Sequence, residues 1–361
     1  LSGLGCDYEG APVRAPVRIE APSDTFDEKA FTAETSTALD AAFAEVVEKS
    51  GTTSLQVTVY RPGTGLWSAG HGIEPGRTPF WASVGKTFIA VTIMQLAEEG
   101  ELSLDDPVVR WFPDLPDAQR MTVRDLLAHT AGLPSANESE EFRALGRALT
   151  LDEELGFVAE EGLLFCPGSM WRYSNTGYAL LGAIIERTTG QPWRAAIADR
   201  VIDPLALDRT FPVETDRIEA LVPAASGHGA PVPLDAPGAA GAIAADGADM
   251  VRFWHALLTG DLVSTASRDA MFAKLYPMFD NGSYYGLGTM VVDVPDGSGR
   301  TLVGHFGGMP GLGALVAWSP RDRAYIAVAL SGNGDLSGAV ANAMLRSLPG
   351  ERSTTDPARQ N

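Results

Sequence analysis

Apolar positions follow a period of two near both ends of the chain and a helical period through its middle. Alternation predicts strands at residues 54–60 and 66–70, after a helix at 34–49 that ends before Gly51. Helical spacing dominates from 84 to 220, and the predicted helices are 88–99, 123–129, 140–148, 151–160, 177–189 and 193–201. Beyond a Gly-, Ala- and Pro-rich loop at 222–248, which includes Gly227-His228-Gly229, we predict a helix at 248–258, strands at 285–294, 301–304, 314–318 and 324–330, and a last helix at 337–348.

Strands at both ends with helices between them predict an α/β fold of the α+β type. We expect one antiparallel sheet, built from N- and C-terminal strands and flanked by the terminal helices, with a large, mostly helical inserted domain. The predicted division is an extended arm at 1–34, a sheet domain from 35–83 and 249–348, a mainly helical domain at 84–248 and a polar tail at 349–361. A site is expected at the seam between the two domains.

Ser83 and Lys86 lie where the chain leaves the first strands for the helices. If a helix begins near Ser83, the spacing of three places the hydroxyl and the amine one turn apart on the same face. A serine nucleophile needs a base, and lysine can be that base where burial or positive charge lowers its pKa. The unpaired N–H groups of a helix start would also favour an oxyanion. The alternative is that Ser83 only caps the helix and Lys86 is solvated.

Composition narrows the classes of function. The chain has 361 residues, of which 45% are hydrophobic and 20% charged, with a formal net charge of −19. Such an acidic chain is not expected to bind nucleic acid, because phosphate binding needs clustered Lys and Arg. No apolar run reaches 18 residues, so no membrane span is expected. The histidines show no metal-ligand spacing, and neither a metal nor another cofactor is expected.

Two other functional motifs that could include Ser83 or Lys86 are incomplete in this sequence. Gly85-Lys86-Thr87 is similar to the end of a phosphate-binding loop, but that loop needs glycine where this chain has Phe80. The nucleophile elbow G-x-S-x-G of serine-histidine-acid hydrolases is also absent, because Trp81 stands at its first glycine.

Cys6 and Cys166 are the two cysteines, and they either form a disulfide or remain free thiols. The run before Cys6 is similar to the segment before a bacterial lipoprotein cysteine, although Gly3 stands where that pattern usually has Leu. We expect export to the periplasm or the cell exterior, with a cytoplasmic location as the alternative and lipid attachment less supported. The oligomeric state is not indicated.

Two further segments carry candidate chemistry. Tyr173-Ser174-Asn175 lies on a turn before a predicted helix, and its polar residues either cap that helix or act on a substrate. The stretch 304–311, Gly-His-Phe-Gly-Gly-Met-Pro-Gly, stands at a strand end. Its glycines permit either close approach to a ligand or a bulge and turn.

Together these segments form an ordered set: Ser-x-x-Lys at 83–86, Tyr-x-Asn at 173–175 and a basic residue-x-Gly at 305–307. In this set the chain resembles the penicillin-recognising serine hydrolases. The nearest branch contains class C β-lactamases, D-alanyl-D-alanine carboxypeptidases, D-aminopeptidases, D-amino acid amidases and related esterases. The likeness runs from about residue 35 to 348. It implies a β-lactamase/transpeptidase-like fold and a hydrolase that acts through an acyl-enzyme on a small-molecule, short peptide or ester substrate.

The resemblance assigns a role to each motif residue. Ser83 would be the nucleophile, and Lys86 and Tyr173 would share the proton transfers, with the formal base left open between them. Asn175 would bind a substrate amide and hold Lys86. The N–H groups of Ser83 and Gly308 would form the oxyanion hole.

His305, Phe306, Gly307 and Gly308 are the predicted substrate-binding and oxyanion segment. Lactamases usually have Lys-Thr-Gly here, and the middle hydroxyl helps to bind the substrate carboxylate. Phe306 cannot donate a hydrogen bond, so we expect short acyl esters or D-amino acid amides to be preferred. A β-lactamase or a D-Ala-D-Ala carboxypeptidase is the alternative enzyme, and a non-catalytic penicillin-binding or sensor-like protein is the alternative outside catalysis.

Histidines receive two different expectations. A free-histidine pKa for His305 predicts a limb in activity at about pH 6 to 7. His129 lies in a segment that the family uses for packing, with no acid evident beside it, and a structural role is expected.

Overall fold

The computed structural model describes residues 5–20, 24–226, 232–279, 282–332 and 336–349. The lipoprotein-like residues before Gly5, the motif Gly227-His228-Gly229 and the polar tail from 350 onward therefore lie outside the described residues.

The helices and strands agree with most of the sequence pattern. The helices are α1 (Ala33–Ser50), α2 (Gly85–Glu98), α3 (Val123–Ala128), α4 (Glu140–Ala144), α5 (Leu151–Glu161), α6 (Asn175–Thr189), α7 (Trp193–Ile197), α8 (Gly247–Thr259), α9 (Thr265–Met271) and α10 (Ser337–Ser347). The strands are β1 (Ser54–Arg61), β2 (Gly65–His71), β3 (Phe211–Pro212), β4 (Ile243–Ala244), β5 (Tyr276–Pro277), β6 (Ser283–Tyr285), β7 (Met290–Asp293), β8 (Thr301–Met309), β9 (Leu312–Ser319) and β10 (Ala324–Ser331). Of these elements, α9, β3, β4 and β5 were not predicted.

Strands from the two ends of the chain form one sheet. Its order is β2-β1-β10-β9-β8-β7-β6-β5, and every neighbouring pair is antiparallel. The joint is the pairing of β1 with β10, in which Val57 lies opposite Val328. The predicted antiparallel sheet built from both termini is therefore confirmed.

Both faces of the sheet are covered, because the central strands alternate between two apolar layers. Leu55, Val57 and Val59 of β1 pack on the face that carries α1 and α10. Tyr60 and Tyr325 point to the other face, where α8 crosses the strands. A sheet buried on both sides requires nearly continuous hydrophobic strands, as β9 and β10 show.

Two strand predictions were wrong in their bounds, and glycine explains both. The predicted strand 285–294 is divided into β6 and β7 at Gly286 and Gly288, where the chain passes close to its neighbours: a Cβ on Gly286 would lie 2.0 Å from the Met271 carbonyl oxygen. The strand predicted at 301–304 continues to Met309 through glycines that would ordinarily end it. The predicted loop 222–248 also contains β4 and a helical turn at Gly238–Ala240.

The amino-terminal arm is fastened to the rest of the molecule by a disulfide. Cys6 and Cys166 are bonded, with Cα atoms 5.9 Å apart, which decides between the two cysteine alternatives. Backbone hydrogen bonds extend this contact, since Cys6 N donates to Pro167 O and Glu9 N to Ser169 O. In the described ranges, no helix is long and apolar enough to cross a membrane. The division into sheet and helical domains stays a prediction.

Candidate active site

Ser83 lies on a 3₁₀ turn, Ala82–Val84, that leads directly into α2. Ala82 has a positive φ of 46°, a conformation that L residues rarely adopt, and strain of this kind is concentrated at functional sites. Two glycines allow the backbone to close around the turn. A Cβ on Gly307 would lie 2.2 Å from the Trp81 carbonyl oxygen, and one on Gly241 would lie 2.8 Å from the carbonyl carbon of Ala82. Strand β8 and the 238–242 segment therefore hold the Ser83 turn from two sides.

Lys86 is completely buried one turn after Ser83. Its Nζ lies 3.1 Å from Ser83 Oγ, 2.7 Å from Asn175 Oδ1 and 2.5 Å from the Ala240 carbonyl oxygen. Burial lowers the pKa of Lys86 well below its usual value, because the charged form loses its hydration. The alternative of a solvated lysine is therefore wrong.

The three partners of Lys86 differ in what they can do. Asn175 Oδ1 and the Ala240 carbonyl oxygen only accept hydrogen bonds, and they account for the two N–H bonds of a neutral amine. The remaining lone pair then faces Ser83, whose hydroxyl can donate to it. This arrangement suits an amine that takes the proton of the serine.

Tyr173 completes the group around Ser83. The two side chains are hydrogen-bonded, and Lys86 Nζ lies 4.8 Å from the centre of the Tyr173 ring. Burial raises the pKa of the Tyr173 phenol above its ordinary value, so the phenol keeps its proton at neutral pH.

The residues at the start of helix α6 serve both purposes considered for them, since one caps the helix and another faces the site. Ser174 caps the helix, since its Oγ accepts a hydrogen bond from Gly177 N, while Asn175 faces Lys86. The turn is held by His129, whose Nδ1 accepts from Ser174 N at 3.2 Å. His129 is buried, and burial together with the charge of Lys86 lowers its pKa well below the usual value. These contacts support the structural role expected for His129.

His305 is buried in β8 and does not meet the expectation made for it. Its Nδ1 lies 2.6 Å from the Phe306 carbonyl oxygen, which can only accept, so Nδ1 carries the proton and Nε2 accepts from the Tyr285 hydroxyl at 3.0 Å. Burial, with the nearby charge of Lys86, lowers the pKa of His305 to about 3. The prediction of a His305 limb at about pH 6 to 7 is therefore wrong, because the imidazole stays neutral there.

Phe306 is the second correction. Alternation along β8 directs its ring to the opposite face of the sheet from His305, into the layer that carries α10. A Cβ on Gly338 of α10 would lie 3.6 Å from the Phe306 ring. The ring therefore does not line the site, in contrast to the prediction that Phe306 belongs to the substrate-binding segment. The absence of a hydroxyl at this position, on which the expected substrate preference rests, is unchanged. Gly308, by contrast, is exposed, and a Cβ there would meet only the Leu312 carbonyl oxygen, at 3.7 Å.

Several residues of the site were missed at the level of sequence. They are the Ala240 carbonyl group, the Asn137 side chain that binds Asn175, and the ring of Tyr178, which lies 5.4 Å from Lys86 Nζ. The glycine-rich run that contains Ala240 was a usable signal, since such density also marks close backbone approach. Asn137 gave no signal, because one polar loop residue is ordinary. In the described part of the chain, no group of three His, Cys, Asp or Glu side chains is placed to hold a metal ion.

The fold and this site define a protein with a completely buried lysine amine 3.1 Å from a serine hydroxyl, and the serine lies on a turn that contacts β8 of the antiparallel sheet. The family model described as Beta-lactamase matches residues 39–350, and the chain belongs to that family. The predicted superfamily and the β-lactamase/transpeptidase-like fold are thereby confirmed.

The similar proteins include an amidase, an esterase and a penicillin-binding protein. The D-amino acid amidase of Ochrobactrum anthropi SV3 superposes with a TM-score of 0.76 at 28% identity, covering 88% of this chain and 98% of that one. Esterase EstB of Burkholderia gladioli is 36% identical over 194 residues, 47% of this chain and 49% of the esterase. A penicillin-binding protein of Bacillus subtilis (strain 168) is 31% identical over 264 residues, 65% of this chain and 56% of that protein. The chain thus spans about half the length of these two curated relatives.

Proposed function

We propose that the protein is a serine hydrolase that cleaves esters or amides through an acyl-enzyme on Ser83. One observation carries this proposal: the buried Lys86 amine lies 3.1 Å from Ser83 Oγ while its other two partners can only accept hydrogen bonds. Such an amine has its lone pair available to the serine hydroxyl.

Acylation follows from these positions. Ser83 Oγ attacks the substrate carbonyl carbon, its proton passes to Lys86 Nζ, and the carbonyl electron pair moves to the oxygen. Tyr173 keeps its phenol proton and is hydrogen-bonded to Ser83. It therefore supplies a proton to the leaving atom of the substrate as the bond between that atom and the carbonyl carbon breaks. The proton on Lys86 then restores the phenol. We therefore assign the base to Lys86 and the relay to Tyr173.

The tetrahedral oxyanion needs donors beside Ser83. The Ser83 N–H belongs to the start of a helical segment, where N–H groups have no partner within the helix. The Gly308 N–H is the second predicted donor, and removing one such donor commonly costs about 100- to 1,000-fold in rate. Water attack on the acyl-enzyme, assisted by the neutral Lys86 amine, releases the acid and frees Ser83.

The substrate class is supported by the relatives. The amidase acts by its name on D-amino acid amides, and EstB is named an esterase. We propose the same two groups, short acyl esters and D-amino acid amides, for this chain. Because a penicillin-binding protein is among the relatives, three alternatives remain: a β-lactamase, a D-Ala-D-Ala carboxypeptidase and a non-catalytic penicillin-binding protein. One experiment separates them.

The experiment is a substrate panel with wild type and Ser83→Ala. It contains p-nitrophenyl acetate and butyrate, D-amino acid p-nitroanilides, a D-Ala-D-Ala peptide and nitrocefin. We expect ester or anilide turnover that falls at least about 1,000-fold in Ser83→Ala. Activity should rise with pH through the lowered pKa of Lys86, because only the neutral amine accepts the serine proton.

Each alternative gives a different result. A higher kcat/KM on nitrocefin or on the D-Ala-D-Ala peptide than on every ester and anilide contradicts the proposed substrate class. Penicillin labelling of Ser83 without turnover of any substrate favours the non-catalytic protein. Equal turnover by Ser83→Ala and wild type contradicts the acyl-enzyme.

We also propose that the protein works outside the cytoplasm, in the periplasm or the cell exterior. The Cys6–Cys166 disulfide supports this location, because disulfides persist in oxidising compartments. Fractionation of the source cells with thiol counting would contradict the proposal if the protein is found in the cytoplasm with both thiols free.

A further inference from the structure

Asn137 forms a closed set of hydrogen bonds with the first residue of α6. Its Oδ1 accepts from Asn175 Nδ2 at 2.9 Å and from Ser135 Oγ at 2.8 Å. Ser135 Oγ in turn accepts from Asn175 N at 2.9 Å. Asn137 itself is exposed, on the turn Ala136–Glu138 that precedes α4.

The direction of the Asn175 amide matters because its two ends are chemically opposite. Asn175 Oδ1 accepts from Lys86 Nζ, and a half-turn of the amide would present an NH₂ group there instead. That NH₂ group would compete with the Ser83 hydroxyl for the lone pair of the neutral amine. The Asn175 backbone bond to Ser135 does not prevent the half-turn, since it leaves the amide free to rotate. The bond from Nδ2 to Asn137 does prevent it.

We propose that Asn137 is a positioning residue that fixes the amide of Asn175, so that Asn175 presents its oxygen to Lys86 and leaves the lysine lone pair to Ser83. The inference rests on the proposed hydrolase function. Asn137 acts through Asn175 and is assigned no contact with the reacting atoms.

The groups that surround Lys86 are held neutral by burial, so the effect of Asn137 on Lys86 can be measured in a pH profile. The groups around Lys86 are the phenols of Tyr173 and Tyr178 and the imidazoles of His129 and His305, and burial favours the neutral form of each. The ion pair of Glu138 with Arg172, which lies next to Asn137 in the chain, is exposed. Glu154 of α5 accepts a hydrogen bond from Thr176 Oγ1 beside Asn175, and burial raises the pKa of its carboxyl. Because Glu154 is present in every variant, a difference in the acid limb between variants reports on Lys86.

Two variants of Asn137 separate positioning from general damage. Asn137→Ala removes the acceptor, and we expect kcat/KM to fall by up to about 10-fold, the upper range for the loss of one hydrogen bond between neutral groups. Its acid limb should move to lower pH, because Lys86 loses a fixed oxygen that stabilises the ammonium. Asn137→Asp keeps an acceptor for Asn175 and Ser135 and adds a negative charge. The kcat/KM of Asn137→Asp should stay within about 3-fold of the wild-type value, and the acid limb of its pH profile should move to higher pH.

The measurement is kcat/KM against pH on the best ester or anilide of the panel, together with the rate of Ser83 labelling by a fluorophosphonate. Glu138→Gln is the matched control, since it alters the adjacent exposed side chain and should leave both readouts unchanged. Asn137→Ala with wild-type activity and an unmoved limb overturns the proposal. Equal losses in both variants without opposite limb shifts also overturn it, as that result indicates a structural role. A wild type that neither turns over substrate nor is labelled overturns the hydrolase function as well.

Discussion

At the scale of single residues, the site is defined by groups whose charge is suppressed. Lys86 is fully buried and His305 has a pKa of about 3, so no cation of the site needs a buried counter-ion. Each is instead satisfied by carbonyl or hydroxyl oxygens, at Ala240 and Asn175 for the lysine and at Phe306 and Tyr285 for the histidine. The same burial that makes the lysine costly to charge suits it to the role of base that we propose.

Phe279 provides a prediction about the substrate. Its side chain is 76% exposed, yet its ring lies 5.5 Å from that of Trp171 and 6.2 Å from that of Tyr173. An exposed aromatic ring beside Tyr173, the proposed proton relay, is placed to contact an apolar substituent of the substrate. We expect Phe279→Ala to lower the kcat/KM ratio of a D-phenylalanine to a D-alanine p-nitroanilide about 3- to 10-fold, the worth of one aromatic contact.

The control is Leu145→Ala, which truncates another exposed apolar side chain, one without a described ring contact to Tyr173. Its substrate ratio should equal that of wild type. An unchanged ratio in Phe279→Ala would show that the ring does not contact the substrate.

At the scale of elements, the site depends on how closely β8 approaches the Ser83 turn. Gly307 and Gly308 are neighbours in one strand but differ in their surroundings. A Cβ on Gly307 would lie 2.2 Å from the Trp81 carbonyl oxygen, whereas one on Gly308 would meet only the Leu312 carbonyl oxygen, at 3.7 Å. The two positions therefore make a matched pair for substitution.

We expect Gly307→Ala to destabilise the protein by about 1–3 kcal/mol, the range for overpacking, because the backbone of β8 and that of the Ser83 turn must move apart. Gly308→Ala should cost less than about 0.5 kcal/mol, since its methyl group has space. Urea unfolding of the two variants and of wild type measures the difference. Equal free energies of unfolding for the two variants would contradict the described contact between β8 and the turn.

The elements were largely predictable from the sequence because their patterns are local. The helices of the middle segment and the strands of both ends follow from the spacing of apolar residues alone, and the three motifs followed in order. The face to which Phe306 points could not be predicted in the same way, because it depends on the register of β8 against the sheet. The histidine pKa values were missed for a related reason, since burial is set by distant elements rather than by neighbours in the chain.

At the scale of the molecule, distant parts of the chain converge on one turn. In the amino-terminal arm, Cys6 forms a disulfide with Cys166, which lies seven residues before Tyr173. Further along the arm, Arg14 N donates a backbone hydrogen bond to Leu275 O at the far edge of the sheet. The arm thus links the segment that carries Tyr173 with β5, the strand that precedes Phe279. The arm therefore helps to hold two segments near the site, and we expect stability and activity to respond to the same global conditions.

Acid is one such condition, because three of the histidines that the structure describes are buried: His129, His255 and His305. Burial lowers the pKa of each in the native state, to about 3 for His305. Below the free value of about 6.5 the unfolded chain binds protons that the native state refuses. The free energy of unfolding should therefore fall as the pH drops below about 6.5, by up to about 1.4 kcal/mol per pH unit for each such histidine.

His255 allows this prediction to be tested away from the active site. Its ring packs among Phe26, Tyr60 and Tyr325, with centroid distances of 5.5–5.7 Å, and its Nε2 has no hydrogen-bond partner within the described residues. His255→Phe keeps an aromatic ring in that place and removes one titrating group. Urea unfolding is measured at several pH values between about pH 7 and pH 4.5. The free energy of unfolding of His255→Phe should change less steeply with pH than that of wild type, by up to about 1.4 kcal/mol per pH unit, the effect of one proton. His71→Gln, at the exposed end of β2, is the control. Parallel pH profiles of His255→Phe and wild type would mean that His255 titrates alike in the folded and unfolded protein.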